Sequence, residues 1–347
     1  MARYMTEKKP FLVDVPVLIL FFNRPSTLEQ VFAAVKEARP SVLLLAQDGA
    51  RADRPDDVEK IAACRKIMEE IDWDCKVYQN YAETNLSCDH REYTALDWAF
   101  TLVDRLIILE DDCVPCQTFF PFCAELLERY LHDERVDRIC GLNRIETYDA
   151  GKSDYLFSTI ASGHGWATWK RNWEKIRELA DYSFLDDSEL VEVYNASRKT
   201  IADRNYGDII AESRKLREQN RASGKITSWE NLVGINSLLN SSLIITPKKN
   251  MIKNIGATSD ATHYSELKYC DPIVRRILLM NFYDVKFPLR HPVRIIRDVR
   301  YEKMHYRKIH KSWLKKRIFK LQVGFKRLFG GDWKGLKKAL DRRLKKK

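Results

Sequence analysis

The chain has 347 residues, of which 45% are hydrophobic, and its formal net charge is +11 at pH 7. This length and composition predict a globular protein with one large α/β domain and an appendage, or with two modest domains, and they exclude a wholly disordered chain. No apolar run approaches the roughly 18 residues that a membrane span requires, so an integral membrane protein is excluded as well.

The excess of basic residues is concentrated near the C-terminus. Residues 301–347 contain 18 Lys or Arg against three acidic residues, which leaves residues 1–300 with a net negative charge. An anionic partner is therefore expected at this tail and not on the body of the protein.

The first predicted element is a strand at residues 15–22. A charged start followed by an apolar run also suggests a signal peptide, but this run is short and Asn23-Arg24-Pro25 follows it in place of a small-residue cleavage site. A continuous apolar run rich in β-branched residues is typical of a strand with helices on both faces. A helix from Ser26 and a strand at 41–46 complete a β-α-β unit. We expect a cytoplasmic protein.

The alternation of helices and strands continues along the chain. Further helices are predicted at 56–71, 92–103, 119–131 and 229–239, and further strands at 76–78, 105–109, 137–142 and 242–246. A Trp-rich segment at 166–179 is predicted to enter a helix, and the charged residues 183–225 are predicted to form a surface helical insertion. This pattern predicts an α/β domain over residues 1–270, with a mostly parallel sheet that binds ligands beyond the carboxyl ends of its strands.

The eight cysteines are spaced irregularly in a large chain without an export signal, so we expect reduced thiols and no disulfide framework. Cys113-Val114-Pro115-Cys116 has the spacing of half a zinc site. No second pair is placed to complete a tetrahedral set, so these two cysteines are interpreted as packing residues.

The most informative local feature is Glu110-Asp111-Asp112, directly after the predicted strand at 105–109. Three adjacent carboxylates repel one another unless a cation neutralises them. Their oxygen atoms suit Mg²⁺ or Mn²⁺, which in turn bridge phosphate oxygens. Taken alone, the tripeptide is equally consistent with an acidic turn that caps the next helix.

Leu109-Glu110-Asp111-Asp112, with Phe119-Phe120 downstream, resembles the metal-binding motif of GT-A fold glycosyltransferases of the N-acetylglucosaminyltransferase I type and their bacterial relatives. The resemblance covers about residues 15–265. Four further segments match the family in the same order, namely Arg24, Gln47-Asp48, Asp89-His90-Arg91 and Gly165-Trp166. The resemblance implies a GT-A type, Rossmann-like sheet, and an enzyme that uses a nucleotide sugar, with uridine as the expected base.

The resemblance also implies roles for individual residues. Asp112 becomes the direct metal ligand, and Glu110 and Asp111 face the sugar and the ribose. Arg24 faces the diphosphate and Asp48 the uracil edge. These roles agree with the chemistry of the side chains, because an arginine matches phosphate geometry and a carboxylate accepts a hydrogen bond from a base N–H.

Three more residues are assigned to the nucleotide-sugar site by the same resemblance. His90 and Arg91 lie in a segment similar to one that surrounds the nucleotide, and Trp166 is a candidate sugar-stacking wall, although a core position is its default interpretation. Relatives tend to show Trp-Gly-Trp here, and His164 takes the place of the first Trp, which leaves the acceptor pocket open.

Trp229-Glu230 opens a helix where bacterial relatives show a Trp-Asp pair, and Glu230 is the candidate general base of an inverting transfer. A helix N-terminal carboxylate favoured by the helix dipole is the alternative. Asn254-Ile255-Gly256 and the following residues 260–263 resemble the closing segment of the family. His263 there is a candidate metal or phosphate ligand, or else a structural histidine.

The tail from residue 303 to 347 mixes aromatic and aliphatic residues with Lys and Arg, within a predicted extension at 271–347. It predicts one or two basic amphipathic helices on an anionic membrane surface, at the inner face of the cell membrane. A solvated tail and a nucleic-acid-binding tail are the alternatives, and the aromatic residues interleaved with basic ones favour a lipid interface over both.

Together these features predict a metal-dependent, inverting glycosyltransferase that transfers a sugar from a UDP-sugar to a glycan or a lipid-linked acceptor. The expected cofactor is Mn²⁺ or Mg²⁺. A sugar nucleotidyltransferase is the first alternative, but the turn at Phe22-Asn23-Arg24-Pro25 lacks the Gly-rich loop that holds a triphosphate. A non-catalytic membrane or nucleic-acid adaptor is the second.

Overall fold

An eight-stranded sheet forms the centre of the protein in the computed structural model, which describes residues 8–197, 209–257, 271–309 and 322. In chain order the strands are β1 (Val17–Phe21), β2 (Val42–Gln47), β3 (Lys76–Tyr81), β4 (Arg105–Glu110), β5 (Cys113–Pro115), β6 (Val136–Cys140), β7 (Tyr155–Ser158), β8 (Trp166–Trp169), β9 (Leu243–Pro247) and β10 (Ile252–Asn254). The large sheet has the order β3-β2-β1-β4-β8-β6-β9-β7, and β5 and β10 pair separately as a two-stranded antiparallel sheet.

The four strands β3, β2, β1 and β4 are parallel neighbours, so their carboxyl ends lie at one edge of the sheet. In this register Phe21 lies opposite Gln47, and Leu20 lies opposite Glu110. The β6–β9 pair is also parallel, whereas β8 and β7 run antiparallel to their neighbours. The predicted α/β fold with a mostly parallel sheet flanked by helices is confirmed.

Helices cover both faces of this sheet. They are α1 (Pro25–Ala38), α2 (Asp56–Met68), α3 (Cys88–Ala99), α4 (Phe119–Arg129), α5 (Lys170–Glu178), α6 (Ser188–Ser197), α7 (Ile209–Ser223), α8 (Glu230–Leu239), α9 (Pro272–Leu278) and α10 (Val299–Ile309), with a short 3₁₀ turn at Ser183–Asp186. Successive residues of a strand point to opposite faces, so Ile107 packs with α1 and α4 while Ile108 packs with α3 and α8. This two-sided burial explains why the central strands are continuous apolar runs.

The predicted Trp-rich segment differs from the structure at its start. Trp166 and Trp169 lie on β8, which pairs antiparallel with β4, and the helix begins only at Lys170. Their spacing is compatible with a helix, but pairing with a buried strand edge determines the backbone here. Both residues and Trp173 are nevertheless buried, in agreement with their default interpretation as core aromatics.

The charged segment 183–225 also contributes to the core. Ile209, Ile210 and Leu216 of α7 are buried in the cluster that contains α8. The described part of this predicted insertion is therefore not confined to the surface. Residues 198–208 lie outside the described residues.

The first part of the predicted C-terminal extension packs on the sheet domain. Arg290 donates hydrogen bonds to Asp154, Asp298 N donates to Phe157 O at 2.7 Å, and Tyr301 is 1% exposed. The basic residues from 310 onward, apart from residue 322, lie outside the described residues, and with them most of the predicted membrane-binding tail.

Two further findings concern the described residues alone. None of their helices has the length and apolar character needed to cross a bilayer. Their seven cysteines are all free thiols, as the sequence predicts, and Cys270 lies outside the described residues. Cys113 and Cys116 are both buried.

Gly165, just before β8, is expected to tolerate no side chain. Its φ is +60°, and a Cβ there would lie 2.5 Å from Ile252 Cδ1 in a closely packed region. Gly165→Ala combines left-handed strain with overpacking, so we expect it to lower the free energy of unfolding by about 2–4 kcal/mol. Gly151→Ala is the matched control, because φ is +65° there with nothing within 4 Å. Urea unfolding compares the two, and equal losses would contradict the packing argument.

Candidate active site

The parallel strands bring the predicted site residues to one edge of the sheet. Arg24 begins the turn after β1, Asp48 follows β2, and Glu110-Asp111-Asp112 ends β4. Because β1 lies between β2 and β4, the loops after these three strands are neighbours although they are far apart in sequence. This is the edge at which open α/β sheets bind ligands.

Arg24 bridges two carboxylates of the acidic triad. Its Nη1 donates a hydrogen bond to Asp112 Oδ2 at 2.9 Å, and its Nη2 donates to Asp111 Oδ1. The Phe22 amide donates to the other oxygen of Asp111. Burial alone lowers the pKa of Arg24, but Asp111 and Asp112 outweigh burial and raise it. Arg24 is therefore a fixed positive charge at the strand edge, between the two carboxylates that hold it.

Asp112 is oriented by the chain segment around β10. Asn254 Nδ2 and Cys113 Sγ each donate to Asp112 Oδ1 at 3.3 Å, and Ile255 N donates to the Asp112 carbonyl at 2.8 Å. A Cβ on Gly256 would lie 2.2 Å from Asp112 Oδ2, so a side chain at this position would displace the carboxylate. The predicted closing segment Asn254-Ile255-Gly256 thus contacts the triad directly.

A second group of carboxylates lies beside the triad. Burial, followed by the charges of Glu92, Asp112 and Glu230, raises the pKa of Glu110 well above its usual range. Burial and the charge of Glu230 also raise the pKa of Glu92 to about 7, and burial, opposed by Arg24, raises that of Asp111 to about 6. A cluster of carboxylates that raise one another's pKa favours binding of a cation.

The donor atoms around Glu110 fit a divalent cation. The ligand atoms of Glu110, Cys113 and His164 lie within 4.8 Å of one another. His164 Nδ1 is buried without a hydrogen-bond partner, and it is 3.9 Å from Glu110 Oε1, beyond hydrogen-bond length. An imidazole nitrogen left free in this way is suited to a metal ligand, and the oxygens of Glu110 and Asp112 suit Mg²⁺ or Mn²⁺.

Asp48 is 5% exposed and organises the loop after β3. Its Oδ1 accepts hydrogen bonds from Gly49 N and Leu86 N, and its Oδ2 accepts one from Asn85 Nδ2 at 2.9 Å. Burial raises the pKa of Asp48, and the backbone hydrogen bonds, which lower it, offset this effect only in part. Asp48 therefore holds the loop after β3 against the end of β2.

His90 and Arg91 lie together at the start of α3, but they have different partners. His90 Nδ1 accepts a hydrogen bond from Ile226 N at 3.1 Å, so Nε2 carries the proton of the neutral ring. Arg91 is buried and donates to Gln47 O at 3.2 Å and to Asn80 O at 2.6 Å. The Arg91 guanidinium thus links the ends of β2 and β3, and its hydrogen bonds are made to groups of the protein itself.

Contacts from α3 fix the start of α8 and hence Glu230. Asp89 Oδ2 accepts a hydrogen bond from Ser228 N at 3.0 Å, and Glu92 Oε2 accepts one from Trp229 Nε1 at 2.9 Å. A Cβ on Gly163 would lie 3.9 Å from Glu230 Oε1. Glu230 therefore faces the loop that carries His164, on the same side as Glu110.

Trp166 lies under this site and not on its surface. It is 2% exposed, the Arg138 guanidinium carbon lies 3.7 Å from its ring centroid, and Trp229 packs 5.9 Å away. The ring offers no open face for stacking a sugar. Trp166 packs against Trp229 and so supports the start of α8, where Glu230 lies. We call Trp229 and Glu230 the Trp229-Glu230 corner.

The structure thus brings Arg24, Glu110, Asp111, Asp112 and Glu230 together, whereas His263 lies outside the described residues. Three side chains of the cluster were not assigned to it from the sequence, namely Glu92, Cys113 and His164. Glu92 is one charged residue among many on a helix. The sequence around Cys113 predicts only a packing residue, and for His164 the departure from the Trp-Gly-Trp pattern is the signal in the sequence.

The raised pKa of Glu92 predicts a pH dependence of stability. A carboxyl group whose pKa rises from 4.5 to about 7 on folding stabilises the folded state below pH 4.5, and this contribution is lost as the pH rises toward 7. We expect Glu92→Gln to be more stable than the wild type by about 1–2 kcal/mol above pH 7, and the difference to vanish near pH 4. Urea unfolding of both proteins in EDTA measures it. A difference that does not change with pH would contradict the assignment.

Comparisons with known proteins give little similarity. No family model matches the chain, and no curated protein matches it. Among solved structures, HddC from Yersinia pseudotuberculosis aligns with 45% of this chain and 77% of its own at 9% identity, with a TM-score of 0.28. A similarity at this score carries no argument about function.

Proposed function

We propose that the protein is a metal-dependent, inverting glycosyltransferase that transfers a sugar from a nucleotide sugar, a UDP-sugar in the first instance, to a glycan or lipid-linked acceptor. The observation that carries the proposal is the shared strand edge at which Arg24 and Asp112 face Glu110, with Glu230 beside them. The proposal is supported by the chemistry of these side chains, because a guanidinium suits a phosphate, clustered carboxylates suit a cation, and a further carboxylate can accept a proton.

On the donor side, Arg24 binds the diphosphate, and Asp112 contributes to the metal site beside it. Arg24 is held by Asp111 and Asp112, so its guanidinium needs little reorganisation when a phosphate arrives. Asp112, together with Glu110 and His164, would hold Mn²⁺ or Mg²⁺. When bound, this ion neutralises the charge of the departing nucleoside diphosphate.

On the acceptor side, Glu230 accepts the proton of the attacking hydroxyl. It stands at the N-terminus of α8, and the contacts from Asp89 and Glu92 to Ser228 and Trp229 fix its backbone. A base on the face opposite the leaving diphosphate gives inversion at the anomeric carbon. Glu92 lies behind Glu230, and its carboxylate accepts a hydrogen bond from Trp229 Nε1.

The basic tail supports a location for this activity. Residues 303–347 are proposed to lie on an anionic membrane at the inner face of the cell membrane, where a lipid-linked acceptor is concentrated. The net negative charge of residues 1–300 disfavours nucleic acid as a partner.

Calorimetric titration of the full chain with UDP, with and without Mn²⁺, tests the donor side. We expect binding that depends on the metal, followed by slow hydrolysis of one member of a panel of nucleotide sugars. No binding of UDP in either condition contradicts the proposal. Release of pyrophosphate from UTP and a sugar 1-phosphate, without hydrolysis of any nucleotide sugar, favours a nucleotidyltransferase.

A further inference from the structure

Three basic side chains meet beside the candidate active site and have no acidic partner in the described part of the chain. They are Arg144 after β6, Arg276 on α9 and His305 on α10. Within residues 8–197, 209–257 and 271–309, no carboxylate lies at ion-pair distance from any of them, whereas the buried Glu302 on the same helix as His305 is paired with Arg297.

Three separate elements hold these side chains around one loop. Arg276 Nη2 donates a hydrogen bond to the Arg144 carbonyl at 3.2 Å. Tyr301 OH donates to Asn143 Oδ1 at 3.2 Å, and the Tyr301 ring packs against His305 with 6.2 Å between centroids. The loop after β6, α9 and α10 thus converge at Arg144.

Four nitrogen atoms of this group have no hydrogen-bond partner. Nε of Arg144, Nε of Arg276 and both ring nitrogens of His305 are buried without a hydrogen-bond partner, and His305 is only 6% exposed. Leaving a buried donor unpaired is unfavourable, and a neutral His305 ring carries one N–H, so three buried donors of this group lack an acceptor, which is unusual in folded proteins. Burial, followed by the charges of Arg144 and Arg276, lowers the pKa of His305 to about 3, so the ring is neutral and both guanidinium charges are uncompensated.

We propose that Arg144, Arg276 and His305 form a binding site for a phosphate group. A phosphate monoester carries about two negative charges at neutral pH, which matches two guanidinium groups. Its several acceptor oxygens match donors that approach from three elements, and guanidinium-phosphate hydrogen bonds are among the strongest in proteins.

The basic group adjoins the carboxylate cluster through the segment that carries His164. The Gly141 amide, three residues before Arg144, donates a hydrogen bond to the Gly165 carbonyl at 2.8 Å, and His164 Nδ1 lies 3.9 Å from Glu110 Oε1. The phosphate is therefore assigned to the acceptor, as a sugar phosphate or a lipid phosphate. This assignment to the acceptor rests on the proposed function, whereas the phosphate site formed by Arg144, Arg276 and His305 does not.

The test measures the thermal midpoint of the full chain in inorganic phosphate, and separately in dihexanoyl phosphatidic acid below its micelle concentration, against sodium chloride of equal ionic strength. We expect one or both ligands to raise the midpoint of the wild type, and Arg144→Gln and Arg276→Gln each to weaken the apparent affinity at least about tenfold. The response to inorganic phosphate alone indicates a soluble source, and a larger response to the lipid indicates a lipid source.

Two control variants distinguish phosphate binding at this site from phosphate binding at other cationic surfaces. Arg294→Gln changes an exposed arginine whose hydrogen bond is to its neighbour Val293, and it should respond as the wild type does. Arg24→Gln removes the cation of the donor site, and it should also keep the response. Loss of the response in Arg24→Gln with retention in Arg144→Gln would place the anion at the donor site and overturn the proposal.

The proposal is also overturned if neither ligand raises the midpoint above the chloride control. Ligand-free Arg144→Gln is expected to be at least as stable as the wild type, because it removes an uncompensated charge, so a folded variant is available for the comparison. Absence of metal-dependent UDP binding would reject the glycosyltransferase proposal and leave this result unaffected, so the two failures can be distinguished.

Discussion

Asp112→Asn is expected to abolish metal-dependent binding of UDP and to lower donor turnover by about 10³-fold or more. A metal ion at a leaving phosphate contributes several kcal/mol of transition-state stabilisation, and a loss of about 4 kcal/mol corresponds to about 10³ in rate. The amide keeps the shape of the side chain and its hydrogen bonds from Asn254 and Cys113, but it loses the negative charge. Calorimetry with UDP and Mn²⁺ measures the binding, and a nucleotide-sugar hydrolysis assay measures the rate.

The variant should remain folded, because Asp111 continues to pair with Arg24. Asp154→Asn is the matched control, since Asp154 is also a partly buried partner of an arginine, Arg290, but lies next to β7 away from the cluster. It should leave UDP binding unchanged. Retained metal dependence in Asp112→Asn would show that Asp112 is not a ligand and would transfer the role to Glu110, Cys113 and His164.

Glu230→Gln is expected to lower kcat by about 10²- to 10⁴-fold while UDP and Mn²⁺ bind with unchanged affinity. This range is typical of removal of a general base, because only proton transfer from the acceptor is lost. Glutamine has nearly the same shape and keeps the N-terminal position on α8. Steady-state kinetics with acceptor present, together with calorimetry, separate the effect on the chemical step from an effect on donor binding.

Glu92→Gln distinguishes the two neighbouring glutamates. Glu92 is bound by the Trp229 N–H and the Cys88 thiol, so we expect a smaller loss of kcat, below about tenfold, arising from altered support of the Trp229-Glu230 corner. If Glu92→Gln were the more damaging substitution, the base would be Glu92 and not Glu230. Glu230→Asp should recover part of the activity, since a carboxylate is restored with a shorter reach.

The carboxylate cluster also lowers the stability of the metal-free fold. Five carboxylates, Glu92, Glu110, Asp111, Asp112 and Glu230, share a small region in which Arg24 pairs with only two of them. Mutual repulsion of this kind destabilises the metal-free fold at neutral pH, and it is characteristic of sites arranged for binding a cation.

The sequence by itself determined the class of the fold. Continuous apolar runs such as residues 17–21 and 105–109 can be buried only between two layers of helices, so their alternation with helical patterns predicts the central parallel strands. It did not predict β7 or the strand character of Trp166 to Trp169, because short edge and antiparallel strands depend on pairing partners far away in the chain.

For the site, the sequence determined which residues end the parallel strands. Arg24, Asp48 and Glu110 to Asp112 each follow an apolar run, and parallel strands necessarily place their carboxyl ends at one edge. The sequence therefore predicted, without knowledge of any distance, that these side chains lie at one edge of the sheet.

Only the tertiary structure decided what faces those residues. Glu92 on α3, His164 before β8 and the basic group of Arg144, Arg276 and His305 meet through packing between distant elements, and no spacing in the sequence encodes that proximity. Burial was likewise decided by packing. It turned Trp166 from a candidate binding surface into a core residue, and it raised the pKa of Glu110, because desolvation depends on the three-dimensional surroundings and not on the order of the residues.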